Sequence, residues 1–359
     1  MNKHIFCIAA ACAALASCVK NEVRVNAPDQ EITFQTVSTK AGAAFETNKH
    51  FFSYAYFLKK GDTWDVNHAD ATAYIDKAVI TYEHGAGESK GYWAAANSYY
   101  WPKQGSLTFF AWTDNTIHDP TSNPTPSIAG DGASVSCAHD TGIKITNYSV
   151  KDNLNKDILV AEIAKDKKNN ESATGTWKQG VPTVFRHALA KVEFKVNKKT
   201  NYPNVKFRVK SITLNEVSTR GTFTQYQSNP NPENWGWNGW GLQEDLTVFT
   251  GDEEVTATDD AGTFNKLNPS ATDYSIVLPQ VLKDKIAPKL TIVYEIITSY
   301  TGTDVIETVS DTKDLKDIYK NDWECNKKYV LGITLGLNEI FWDPSVEGWE
   351  DGAVTDIQF

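Results

Sequence analysis

The sequence predicts an all-β protein built as two tandem β-sandwiches with at most one short helix. Three observations point there. Short runs of alternating apolar and polar residues recur, the clearest being Ala190, Val192, Phe194 and Val196 set between Lys191, Glu193, Lys195 and Asn197. Aromatic residues abound (11 Trp, 15 Tyr, 16 Phe) while Met occurs once, a balance that favours strands. Long stretches at the 3.6-residue helical period are absent, which excludes doubly wound and barrel α/β enzymes.

The chain starts with a short basic segment (Lys3, His4) and an apolar run from Ile5 to Ala16. That run has the length of a signal-peptide core and is too short to span a bilayer. Leu15-Ala16-Ser17-Cys18 follows the bacterial lipobox pattern, so residues 1–17 read as a lipoprotein signal peptide. Cys18 would then be acylated and become the first residue of a chain anchored in the outer membrane. Removing residues 1–17 from 359 leaves 342, more than the roughly 250–300 at which a single core stops growing, so two domains are expected. The net charge of −10 becomes −11 once Lys3 leaves. With no basic cluster in the sequence to offset it, that acidity argues against nucleic acid as a partner.

Residues 18–30 are polar and unpatterned, and read as a tether. Ile32, Phe34 and Thr36 then lie on one face of a strand over Glu31–Lys40, and Ala41-Gly42-Ala43-Ala44 breaks it. Phe51–Leu58, Lys77–Tyr82, Ser98–Trp101 and Ser106–Thr113 read as further strands. Asn115–Ser136, with three prolines, reads as a loop. Ile143–Tyr148 and Asp157–Ala164 resume the strands.

The second sandwich is placed at 181–359, the first at 31–180. In Val205–Val217 the apolar phase slips between Val209 and Ile212, which predicts a bulge near Lys210-Ser211. Ser228–Gly241, rich in Asn, Pro, Gly and Trp, reads as irregular. Tyr274–Leu278, Lys289–Ile297 and Val305–Val309 read as strands, and Asp311–Lys320 as the one helix, with Asp311 as N-cap. Lys328–Leu337 closes the pattern, followed by a tail whose last strand candidate is Val354–Phe359.

Several stretches resemble the fimbrillin family of bacterial surface lipoproteins, the type V pilus subunits and their Mfa-like relatives. They are Ile32-Thr33-Phe34, Tyr100-Trp101-Pro102 leading into Leu107–Trp112, Asp157–Ala161, Phe185–Val192, and Gly336-Leu337-Asn338 through Trp342-Asp343-Pro344, in the family's order. The resemblance implies two transthyretin-like sandwiches and a role in fimbriae or adhesion at the cell surface. It also implies a partner: another subunit, whose strand replaces the first strand after proteolysis.

Ile32 and Phe34 would be the apolar plugs of that leaving strand, and Lys40 the residue before the cut. The better-studied relatives use an arginine-specific protease. Here the arginines are Arg24, Arg186, Arg208 and Arg220, so an Arg-directed cut falls early, at Arg24, or inside a domain. Either a Lys-tolerant protease acts or the first strand stays.

Trp235, Trp237 and Trp240 suggest an alternative, a glycan-binding surface lipoprotein that feeds an outer-membrane transporter, its rings stacking on sugars or packing back on their own domain. A host or microbial surface ligand is equally a candidate partner. His187 has no Ser, Cys or metal signature beside it and reads as structural. His118 and His139, near Asp119, Asp131 and Asp140, lack EF-hand or helical metal spacing. Cys137 and Cys325, the thiols left after export, could pair only across sequence-distant halves. No catalytic residue, cofactor or metal is expected, and so no enzyme.

Overall fold

A computed structural model describes residues 31–36, 45–84, 91–119, 121, 128–170, 180–225, 235–239, 243–282 and 287–349. Its first eleven strands are β1 (Phe34–Thr36), β2 (Phe51–Leu58), β3 (Thr72–His84), β4 (Gly91–Ala95), β5 (Ser106–Thr113), β6 (Ser134–Ala138), β7 (Gly142–Ser149), β8 (Leu159–Ala161), β9 (Ala164–Lys167), β10 (Val181–Thr183) and β11 (Phe185–His187). The remainder are β12 (Ala190–Lys198), β13 (Val205–Ser218), β14 (Arg220–Thr224), β15 (Gly236–Asn238), β16 (Gln243–Glu254), β17 (Asn265–Leu267), β18 (Ile276–Val277), β19 (Lys289–Tyr300), β20 (Thr303–Asp314), β21 (Lys327–Leu335) and β22 (Ile340–Gly348). α-Helix among the described residues amounts to single turns, α1 (Trp64–Asn67) and α2 (Leu315–Ile318). The chain is all-β.

Four sheets form. The largest runs β10-β1-β4-β3-β2-β5-β8-β11, with β9 also on β5. Its central strands are buried on both faces, which is why β2 (FFSYAYFL) and β5 (SLTFFAWT) read as continuous apolar runs rather than as alternation. Phe52, Tyr54, Tyr56, Phe110 and Trp112 point into the main core, where Ile143, Ile145 and Tyr148 of β7 and Phe223 of β14 meet them. Phe51, Ala55, Leu107 and Phe109 point the other way, into a second core that the sheet closes by curling until β10 comes within 8 Å of β9.

The sheet opposite runs β15-β14-β7-β6. It joins strands from both sides of residue 181, as do the β1–β10 and β8–β11 pairings. The two remaining sheets, β17-β12-β21-β22 with β18 on β12, and β16-β13-β19-β20, lie wholly beyond that residue. The expected alternation in β12 holds, Val192, Phe194 and Val196 being buried. So does the bulge, since β13 changes register with both neighbours between Val209 and Ser211.

The helix expected over Asp311–Lys320 is corrected. Residues 303–314 pair along their whole length with β19, and only Leu315–Ile318 turn helically, with Asp314 at the N-cap position. The helical spacing of Leu315, Ile318 and Tyr319 reports one turn packed into the core, not three. Ser228–Gly241, read as irregular, contains the short β15. β4, β6, β10, β11, β14, β16, β17 and β22 escaped the sequence reading, Ser98–Trp101, read as a strand, holds only an isolated bridge at Tyr100, and Val354–Phe359 lies outside the described residues.

Candidate strand-exchange site

β1 and the two residues before it occupy the second position of the large sheet, between β10, which is parallel to it, and β4, which is antiparallel. Only the three-residue β10 lies outside. The alternation read in the sequence has the consequence expected of it: Ile32 and Phe34 are 2% and 3% exposed and enter the second core. Phe34 meets Phe51 and Phe109 edge-on at 5.7 and 5.8 Å. Burying two such side chains contributes roughly 1.5–3 kcal/mol each.

The backbone of the segment is held from three sides. Ile32 N donates to Tyr99 O (2.7 Å), Val181 N donates to Thr33 O (2.8 Å), and Glu31 bridges to Tyr100. The side chain of Asn170 supplies what a neighbouring strand would otherwise give. Its Oδ1 accepts from Thr33 N (3.2 Å) and from Trp101 Nε1 (3.1 Å), and its Nδ2 donates to Glu31 O (2.8 Å). Gly180 lets the chains approach: a Cβ there would stand 2.5 Å from Thr33 O and 2.6 Å from the Phe34 backbone. Asn170, Trp101 and Gly180 were not singled out from sequence. Trp101 sits in a family-resembling motif, but Asn170 lies 69 residues from it and 137 from Thr33, which leaves no local signal.

The other predicted residues are dispersed. Cys18, Arg24, Lys40 and Trp240 lie outside the described residues. Trp235 and Trp237 are 7% and 6% exposed and pack on Phe223 at 5.5 and 5.6 Å; Trp237 also meets Tyr148 and donates from Nε1 to Ala188 O (2.6 Å). Their rings are thus enclosed by their own fold. His187 is buried, its Nδ1 2.8 Å from Asp157 Oδ2 and its ring stacked on Trp349 at 3.8 Å. His118 faces His50, whereas His139 faces Tyr56. Among the described residues no group of three or more His, Cys, Asp or Glu could hold a metal. Cys137 and Cys325 are free thiols.

The arrangement therefore offers a short, nearly peripheral strand with two buried apolar side chains. Residues 32–349 match the family described as Fimbrillin-like, from the first plug to Trp349. The chain belongs to the fimbrillin-like family.

A fimbrial protein from Bacteroides vulgatus has the same fold, with a TM-score of 0.64 at 18% identity over 89% of this chain and 99% of that one. A candidate cell adhesion protein from Bacteroides uniformis aligns over 89% of this chain and 98% of its own, with a TM-score of 0.49 at 13% identity. No curated protein matches. The family match places this chain among fimbrillin-like proteins of the cell surface. No helix of the described residues is long and apolar enough to cross a membrane.

Proposed function

We propose that this fimbrillin-like protein is a lipid-anchored subunit or accessory adhesin of a fimbrium, held first through Cys18 in the outer membrane and assembled by strand donation. The observation that supports this reading is the seat of β1. Because its backbone bonds run to β10, to Tyr99 and Tyr100 and to the Asn170 side chain, its removal opens a slot whose walls still point hydrogen-bonding groups inward. Ile32 and Phe34 leave two apolar sockets two residues apart, the spacing at which any extended strand presents side chains to one face. A neighbour's strand entering this slot restores the ladder through generic backbone bonds, and its alternate side chains set the register.

Cleavage after Lys40 frees the strand on this reading, whereas an arginine-specific cut after Arg24 falls before β1 and leaves it in place. The test treats the purified mature protein with a trypsin-like protease and follows fragment and size together. Loss of a fragment ending at Lys40, followed by oligomers, is the expected outcome. A cleaved product that remains a monomer contradicts polymerisation. Enclosure of Trp235 and Trp237 gives the glycan-delivery alternative no stacking face from those two rings.

A further inference from the structure

A basic recess lies at one end of the large sheet, where β2 ends, β5 begins and β9 ends. It encloses about 250 Å³ and is lined by Lys59, Lys60, Lys103 and Lys168, with Asp62 and the buried Ser106 at its wall. Four lysines and one aspartate line it, a formal excess of +3 in a chain whose net charge is −10. Lys59 reaches Asp62 at only 3.9 Å. Lys60, Lys103 and Lys168 are exposed and their side chains make no ion pair or hydrogen bond among the described residues, unlike Lys165 on the adjoining strand, which is paired to Asp65 at 2.5 Å. Like charges gathered this closely repel one another, and the potential they raise favours an oxyanion.

Position indicates the source of that oxyanion. Glu31, where the described chain enters the fold, bridges to Tyr100, and Lys103 follows three residues later, within about 10 Å along the backbone. The twelve residues between Cys18 and Glu31 make thirteen backbone steps, which span at most about 45 Å. A chain anchored at Cys18 therefore keeps this recess within about 55 Å of the membrane surface, in reach of it. The inference rests on the anchoring reading above.

We propose that the recess receives the phosphate of anionic lipid headgroups and seats the first sandwich against the membrane from which the chain is tethered. Each lysine near an anionic surface adds attraction that salt screens.

The unlipidated chain from Val19 onward, mixed with vesicles containing phosphatidylglycerol, tests this without relying on acylation. Sedimentation with those vesicles, absent with phosphatidylcholine alone and weakened by added salt, is expected. Lys60→Gln, Lys103→Gln and Lys168→Gln together should weaken it about a hundredfold. Lys206→Gln, Lys266→Gln and Lys313→Gln, with the same change in charge, should leave most of it. Equal losses in the two triple variants, or no vesicle binding, overturn the proposal. Binding of inorganic phosphate at the recess without vesicle binding overturns the headgroup as its source. Mass spectrometry of membrane-extracted protein reads the Cys18 acyl group separately, so failure of the anchor is distinguishable from failure of the recess.

Discussion

At Asn170 one carboxamide meets Thr33, Glu31 and Trp101, so a single side chain stands in for a stretch of strand edge. Replacing it with Ala removes those contacts and leaves a buried indole N–H without its acceptor, a loss of about 1–3 kcal/mol. That loss falls on the β1 segment before it falls on the rest of the fold. In Asn170→Ala, hydrogen exchange at Ile32 and Thr33 is therefore expected to speed up while exchange in β13 and β19 stays slow.

Asp273 illustrates a charge that the fold uses in a different place. Burial pushes its carboxyl up, yet hydrogen bonds from Ser270 N (2.7 Å) and from Thr250 N (2.8 Å) and Oγ1 (3.0 Å) outweigh burial and hold it below its ordinary value. A carboxylate with a depressed folded-state value adds stability that is complete above the unfolded-state value and disappears as pH falls through the folded one. Urea unfolding should accordingly find Asp273→Asn weaker than the parent by about 1–3 kcal/mol near pH 6. The gap should close as the pH is taken below the ordinary carboxylate range.

Among the elements, what was readable in the sequence tracks what is buried. β2 and β5, enclosed on both faces, carry unbroken apolar runs, and β12 and β13, enclosed on one, carry alternation whose slip marks a true bulge. β20 and β22 lie at sheet edges largely in solvent, so only Val305–Val309 of β20 reads as a strand, and periodicity is absent from the rest of it and from β22. That absence let the apolar spacing of Leu315, Ile318 and Tyr319 suggest a helix three turns long. Pro344 sits in β22, as an edge strand allows. The plugs Ile32 and Phe34 could be read because strand alternation is local. The clamp around them could not, because Asn170 and Gly180 flank a polar stretch far along the chain and reveal their roles only through contact.

For the whole molecule, the main core runs without interruption from Phe52 in β2 to Trp349, and strands from both sides of residue 181 complete each other's sheets. The second core is different in kind. It is smaller, lies inside the curled sheet, and takes Ile32 and Phe34 from a segment of six described residues. On the strand-donation reading proposed above, loss of that segment unplugs the smaller core, while the main one, to which Ile32 and Phe34 do not contribute, stays closed.

Gln35 opposes Pro182 across β1 and β10, so Gln35→Cys with Pro182→Cys offers a reversible lock on the strand. After cleavage at Lys40, the oxidised lock should keep its first strand and stay monomeric, as read by mass spectrometry and light scattering, and reduction should release the fragment and start assembly. Assembly of the oxidised variant as fast as the reduced one, or a reduced variant that keeps its strand and stays monomeric, would contradict strand exchange at β1.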